Sequence, residues 1–180
     1  MAGAFAAAVT QRLTGSFLAA ILVGMIVAAI VGALLEQLIL RRFYGRSHLD
    51  QVLATFGLIL IMNEGTRILF GPTPLRMNLP DALSGSLEIM PGVPYPVFRL
   101  VILAVGLAVA GALYVIIMKT RMGMWVRARA SNRAIASAMG VNVPLVFAGL
   151  FAVGAAFAGL AGIMAGPILS VQVGMGEPIL

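Results

Sequence analysis

Lys119 to Gly140 reads KTRMGMWVRARASNRAIASAMG, with a long apolar segment on either side. The stretch holds five basic residues, Lys119, Arg121, Arg127, Arg129 and Arg133, out of twelve in the chain, and no acidic one. A basic connector between two membrane-length segments marks where a membrane protein meets the cytoplasm. Its second half predicts a short, separately capped helix. Ser131 is a good N-cap, Asn132 to Met139 is rich in alanine, and Gly140 suits the C′ position. A capped helix set into such a loop can dock a soluble partner.

Composition points the same way. Apolar residues make up 61% of the chain, charged residues 10%, and the mean hydropathy is +1.06. A soluble domain carries about a quarter charged residues, so the expectation is an all-α, polytopic integral membrane protein. The net charge of +6 is no nucleic-acid footprint, because the basic residues cluster beside apolar segments and do not cover one face. The absence of cysteine excludes disulfides and thiolate chemistry. Residues 1–14 do not read as a signal peptide, since Arg12 follows the apolar stretch and a signal peptide's charge precedes it.

Residues 1–14 are apolar but too short to cross a bilayer. Working outward, four spans follow: Gly15 to Leu40, closed by Arg41, Arg42 and Arg46; Val52 to Phe70, interrupted by Asn63, Glu64 and Arg67; Val97 to Met118; and Pro144 to Leu169. Each is near the length of about 20 residues that a bilayer requires, and Pro144 suits a helix's first turn. Residues 71–96 hold six of the nine prolines together with Asp81 and Glu88, which makes a stiff extramembrane loop. The arginine bias places loops 41–51 and 119–143 on the cytoplasmic side and 71–96 outside. An even number of crossings separates the two basic loops, so the assignment is self-consistent. The whole chain, 1–180, reads as one transmembrane domain.

Small residues recur at every fourth position in two spans: Gly24, Ala28 and Gly32 in the first, and Gly154, Ala158, Gly162 and Gly166 in the last. Such stripes let helix backbones approach closely, either in packing within one subunit or in a helix that lines a subunit interface or slides. Glu64 and Arg67 are three apart, share a helix face and can pair. They read either as a structural ion pair or, as ionisable residues within a span, as part of a pathway. Glu36, ahead of Arg41 and Arg42, reads as an interfacial charge. His48, the one histidine, gives no metal site by itself, and Trp125 suits the headgroup level. No catalytic constellation is present. There is no G-x-x-x-x-G-K-[ST] phosphate loop, G-x-S-x-G or H-E-x-x-H, so any ATPase that drives transport is another chain.

The stretch W-V-R-A-R-A-S-N-R-A-I-A-S-A-M-G-V-N from Trp125, followed by F-A-G-L-A-G-I-M-A-G-P from Phe157, resembles the permease subunits of bacterial branched-chain amino-acid ABC importers, and the LivH type more than its LivM partner. The opening M-A-G-A-F and the segment G-V-P-Y-P-V-F-R fit that family too. The resemblance spans essentially the whole chain. Such permeases have further segments at both ends, so it also implies that this sequence is a piece of a longer permease.

The resemblance implies that Ser131, Asn132, Arg133, Ala134, Ala138 and Gly140 belong to a coupling helix seated in a groove of the ATPase subunit. It further implies two ATPase subunits that bind the ATP, a second permease subunit, a periplasmic binding protein, and a place in the bacterial cytoplasmic membrane. The permease itself would need no cofactor and no metal. The implied activity is import of small apolar amino acids by alternating access. A urea, amide or sugar permease is the alternative within the class, and an ion-coupled carrier using Glu64 is the alternative outside it.

Overall fold

The computed structural model describes residues 1–80, 83–90, 93–131 and 143–175. The chain is all-α and polytopic. Among the described residues, four helices are long and apolar enough to cross a membrane: Phe17–Phe43, His48–Phe70, Val97–Lys119 and Leu145–Leu169. They match the four expected spans to within a few residues at each end.

The chain folds as two compact units, Met1–Met77 with Phe147–Leu180, and Asn78–Val146. The first opens with a helical hairpin. Helix α1 (Ala2–Thr14) ends on Gly15, whose φ of 68° is left-handed and whose N–H returns to the Gln11 carbonyl at 2.8 Å. Glycine takes that conformation at no steric cost. Ser16 at once caps α2 (Phe17–Leu38), its hydroxyl accepting from the Ala19 N–H. With two residues between them, the helices must run antiparallel.

They pack through small residues. A Cβ on Gly24 would lie 2.6 Å from the Gly3 carbonyl and 2.9 Å from the Ala7 Cβ, and one on Gly3 would lie 3.0 Å from the Ala28 Cβ. Residues 1–14, too short to cross, are therefore a packed helix that buries Gly3, Ala4, Phe5, Ala7 and Ala8. The stripe Gly24, Ala28 and Gly32 is buried as expected, and Ala20 and Glu36 extend it. The opposite face of α2 exposes Leu18, Leu22, Ile26, Ile30 and Leu34. A helix apolar all round belongs in lipid or in a large core.

A 3₁₀ turn over Leu40–Phe43 leads to α3 (His48–Phe70). Ser47 caps α3 by accepting from the Asp50 N–H at 3.2 Å, and Asp50 sits in the positive first turn. Gly71, with φ 82°, ends it. The Phe70 ring meets the Phe5 ring of α1 with centroids 5.0 Å apart. The last helix of the described residues, α6 (Val143–Leu169), carries Pro167 in its final turn. Beyond it, Val171 and Leu75 exchange two backbone hydrogen bonds of 2.8 Å, pinning the segment after α3 to the segment after α6.

The expected stripe on α6 is corrected at two of its four positions. Gly154 and Ala158 are exposed, and a Cβ on Gly154 would meet nothing within 4 Å. The close approach falls on Ala155, Gly159 and Ile163: a Cβ on Gly159 would lie 2.6 Å from the Ala28 Cβ, and Ile163 Cδ1 crowds Gly24. Gly162 and Gly166 do pack, against Ala4 and Met77. The reason is periodicity. One residue step turns a helix by about 100°, so with Ala155 and Gly159 set against Gly32 and Ala28 of α2, Gly154 and Ala158 point away from that seam.

In the second unit, residues 71–96 are not all loop. Strands β1 (Ser86–Met90) and β2 (Val93–Pro96) pair antiparallel, with Ser86 opposite Pro96. Val97 then starts α4 (Val97–Lys119). The connector begins earlier as helix than the sequence suggested. Helix α5 (Arg121–Ser131) starts directly after Thr120, whose hydroxyl accepts from the Gly123 N–H at 3.2 Å as an N-cap. The chain doubles back so tightly that any Cβ on Gly123 would collide with the carbonyls of Ile116 and Ile117, which is why glycine stands there. The Arg127 guanidinium donates to the Ile117 carbonyl across the same turn.

Candidate functional site

A cavity of about 400 Å³ lies within the first unit, toward the lower end of the range of about 300–1,000 Å³ that small-molecule sites occupy. Four helices wall it. The start of α1 contributes Gly3, α2 contributes Ala28, Gly32 and Leu35, α3 contributes Thr55, Leu58, Met62 and Asn63, and α6 contributes Phe151, Ala155, Ala158 and Gly159. Small residues explain both its tight seams and its space. Gly32 lets α2 touch Ala155 and the Phe151 carbonyl of α6, since a Cβ there would collide with the Ala155 Cβ and lie 3.2 Å from that carbonyl. Gly3 and Gly159 lie in the seams beside Ala28, and the short side chain of exposed Ala158 leaves space next to them.

The lining is almost wholly apolar and carries no charged side chain. Thr55 and Asn63 are its side-chain hydrogen-bonding groups. The Thr55 hydroxyl already donates to the Val52 carbonyl at 2.8 Å, which leaves its lone pairs toward other donors. Asn63 offers an amide with both donor and acceptor capacity. Such a chamber suits a compact apolar group beside one or two neutral polar contacts. It gives little to a ligand that needs many hydrogen bonds.

The charged candidates of α3 lie elsewhere. Arg67 Nη1 and Glu64 Oε2 are 3.8 Å apart, so they pair as their spacing implied, but their side chains are 61% and 63% exposed and neither lines the cavity. One residue step on a helix turns about 100°, so Asn63 faces the chamber and Glu64 does not. In the sequence Asn63 stands out only as an interruption of a span. A polar residue just before a charged one in an apolar helix was the available signal.

Glu36 requires a correction. It is not an interfacial charge beside Arg41 and Arg42: it is 0% exposed, while both arginines are exposed. The 3₁₀ turn brings Tyr44 back over it, and the Tyr44 hydroxyl donates to Glu36 Oε1 at 3.1 Å. The Tyr44 ring in turn meets the Phe147 ring of α6, with centroids 5.3 Å apart and planes inclined by 54°.

Of the residues expected to form a coupling helix, Ser131 is the last residue of α5, so the described helix already runs up to it. Asn132, Arg133, Ala134, Ala138 and Gly140 lie outside the described residues. Of the small-residue stripe, Ala158 lines the cavity, Gly162 and Gly166 pack, and Gly154 does neither.

A family model described as branched-chain amino acid transport system, permease component, matches residues 1–177. No curated protein and no solved structure matches the chain.

Proposed function

This chain is a member of the family of branched-chain amino acid transport permease components, and from that premise we propose that it is a LivH-type permease subunit of an ATP-driven importer, with the chamber in its first unit as part of the path. As a permease component it is a multi-pass membrane protein and one part of a multi-component transport system. The observation that carries the substrate class is the chamber's chemistry. Its walls are apolar, and its two polar side chains, Thr55 and Asn63, are neutral. A branched aliphatic side chain gains from such walls by losing apolar surface to water. A zwitterionic head group of zero net charge needs a few polar contacts and no fixed counter-charge. A sugar or urea, rich in hydrogen-bonding groups, would leave most of them unpaired there.

In this reading the bacterial cytoplasmic membrane holds the four spans with loops 41–51 and 119–143 inside. A periplasmic binding protein delivers the amino acid. Two ATPase subunits, which bind the ATP, engage the segment from Ser131 to Gly140, and a second permease subunit completes the path. ATPase closure moves that segment and reverses the access of the path. The permease contributes shape and positioning and carries out no chemistry. The test is a detergent pull-down of the tagged full-length gene product from its native membrane, beside a variant with Ala134→Glu and Ala138→Glu. ATPase subunits are expected with the parent and not with the variant. Their absence from both, with the protein folded, contradicts the reading.

An ion-coupled carrier would rely on Glu64, the acid within α3. Because its side chain is exposed and outside the lining, Glu64→Gln is expected to keep uptake within about twofold of the parent, since exposed ion pairs contribute only about 0–1 kcal/mol. Loss of uptake together with its dependence on a proton gradient would move the carrier reading to the front.

A further inference from the structure

We propose that Glu36, Tyr44 and Phe147 form a latch at one end of the cavity, and that Glu36 acts as a positioning residue for transport. The proposal rests on the permease reading above and adds a device that neither the family nor the sequence pattern assigns.

Two strips of residues make the seam between α2 and α6. On α2 the strip is Ala28, Gly32 and then Glu36. On α6, at the same four-residue step, it is Phe147, Phe151, Ala155 and Gly159. Residues four apart are neighbours on a helix surface, and rows of them form the ridges along which helices pack. The strips touch where Gly32 meets Ala155 and the Phe151 carbonyl, and those residues wall the cavity. One turn further along, direct contact gives way to a bridge. The Glu36 carboxyl accepts from the Tyr44 hydroxyl at 3.1 Å, and the Tyr44 ring rests on Phe147. Leu35 and Leu40, which flank Glu36 in the chain, also line the cavity. The bridge therefore closes the seam just where the chamber's wall continues into the turn bearing Arg41 and Arg42.

A seam meant only to hold would use apolar residues here, because a buried carboxyl costs stability that a well-packed aliphatic side chain does not. This one is half satisfied. Glu36 is 0% exposed, yet Oε2 has no hydrogen-bond partner among the described residues. A closed state that leaves an acceptor unpaired is raised in energy, and parting the strips lets water reach that oxygen. In the proposed latch the Tyr44 contact holds the strips together, and the second carboxyl oxygen favours their parting. Phe147 lies on the same strip as Phe151 and Ala155, so parting at Phe147 moves the cavity wall directly.

The test uses the importer complex in its native membranes, with labelling read on the permease band of a complex whose other cysteines are replaced by serine; these 180 residues contain none. L40C places a thiol on the cavity lining beside the latch. With E36A or Y44F added, its labelling by a membrane-impermeant maleimide in inverted vesicles is expected to accelerate about fivefold, equivalent to about 1 kcal/mol. Y44F keeps the ring on Phe147 and removes only the hydroxyl, so it guards against an E36A chain that does not fold. E36Q, whose amide oxygen still accepts from Tyr44, is expected to label at the parent rate. In the same complex without L40C, leucine uptake per ATP hydrolysed should fall in E36A and Y44F and be restored in E36Q. Parent-like labelling and uptake in both E36A and Y44F overturns the latch, as does an E36Q variant no better than E36A. A parent complex that takes up no leucine while E36A and Y44F still speed labelling contradicts the permease reading and upholds the latch.

Discussion

Gly24→Val breaks the helical core: the purified full-length chain is expected to lose about 3 kcal/mol, the upper end of ordinary overpacking, and about 6–12 °C in Tm. At this position α1, α2 and α6 converge. A Cβ would sit 2.6 Å from the Gly3 carbonyl, 2.6 Å from Ile163 Cδ1 and 2.9 Å from the Ala7 Cβ. Ile163 can change rotamer, but the Gly3 carbonyl is backbone and Ala7 has no rotamer to change. Relief requires the hairpin to open. In lipid no hydrophobic effect pulls the helices back together, so close packing of small residues carries much of their association. Gly154→Ala is the matched comparison. Nothing lies within 4 Å of its Cβ position, and alanine is the better helix former by about 1 kcal/mol, so its Tm should stay level or rise. Thermal unfolding in detergent, followed by circular dichroism, separates the two. Equal Tm values for both variants would contradict the packing described.

The second large effect is on transport alone. Ala158→Trp is expected to reduce leucine uptake by at least tenfold while Tm and association with ATPase subunits stay near the parent's. Ala158 lines the cavity but is itself exposed, so an indole there takes the chamber's space without displacing a packed neighbour. Apolar pockets respond steeply to volume, with about 10–200-fold discrimination for a single methylene. Retention of full uptake by Ala158→Trp would remove the chamber from the path.

What the sequence made legible follows from the range of each signal. The four spans depend on bulk hydropathy over a window as long as the element, and they appear where Gly15, Val52, Val97 and Pro144 placed them, to within a few residues. The stripe on α2 was legible because Gly24, Ala28 and Gly32 are small residues of its one buried face. The stripe on α6 was right only at Gly162 and Gly166, because which side of that helix turns toward α2 depends on the neighbouring helices and not on the spacing of its glycines. Helix α1 was too short to cross and gave no sign of its partner. Its burial depends on the hairpin turn at Gly15 and Ser16 folding it back on α2.

The site was less legible still. The chamber is a property of four helices together, and no single helix announces it. Glu36 looked interfacial because arginines follow it within one or two turns. Its fate is decided by Tyr44, eight residues on, after a 3₁₀ turn that hydropathy does not register. Glu64 drew attention because charge in an apolar helix stands out, while its neighbour Asn63 is the residue that faces the cavity.

The most direct measurement is uptake by proteoliposomes that contain the complete complex, with the binding protein outside and ATP available to the ATPase subunits. Accumulation of labelled leucine that requires ATP hydrolysis and is unaffected by excess urea or sugar is the predicted result. Uptake that proceeds on an ion gradient without ATP, or that prefers urea or a sugar over leucine, would contradict it.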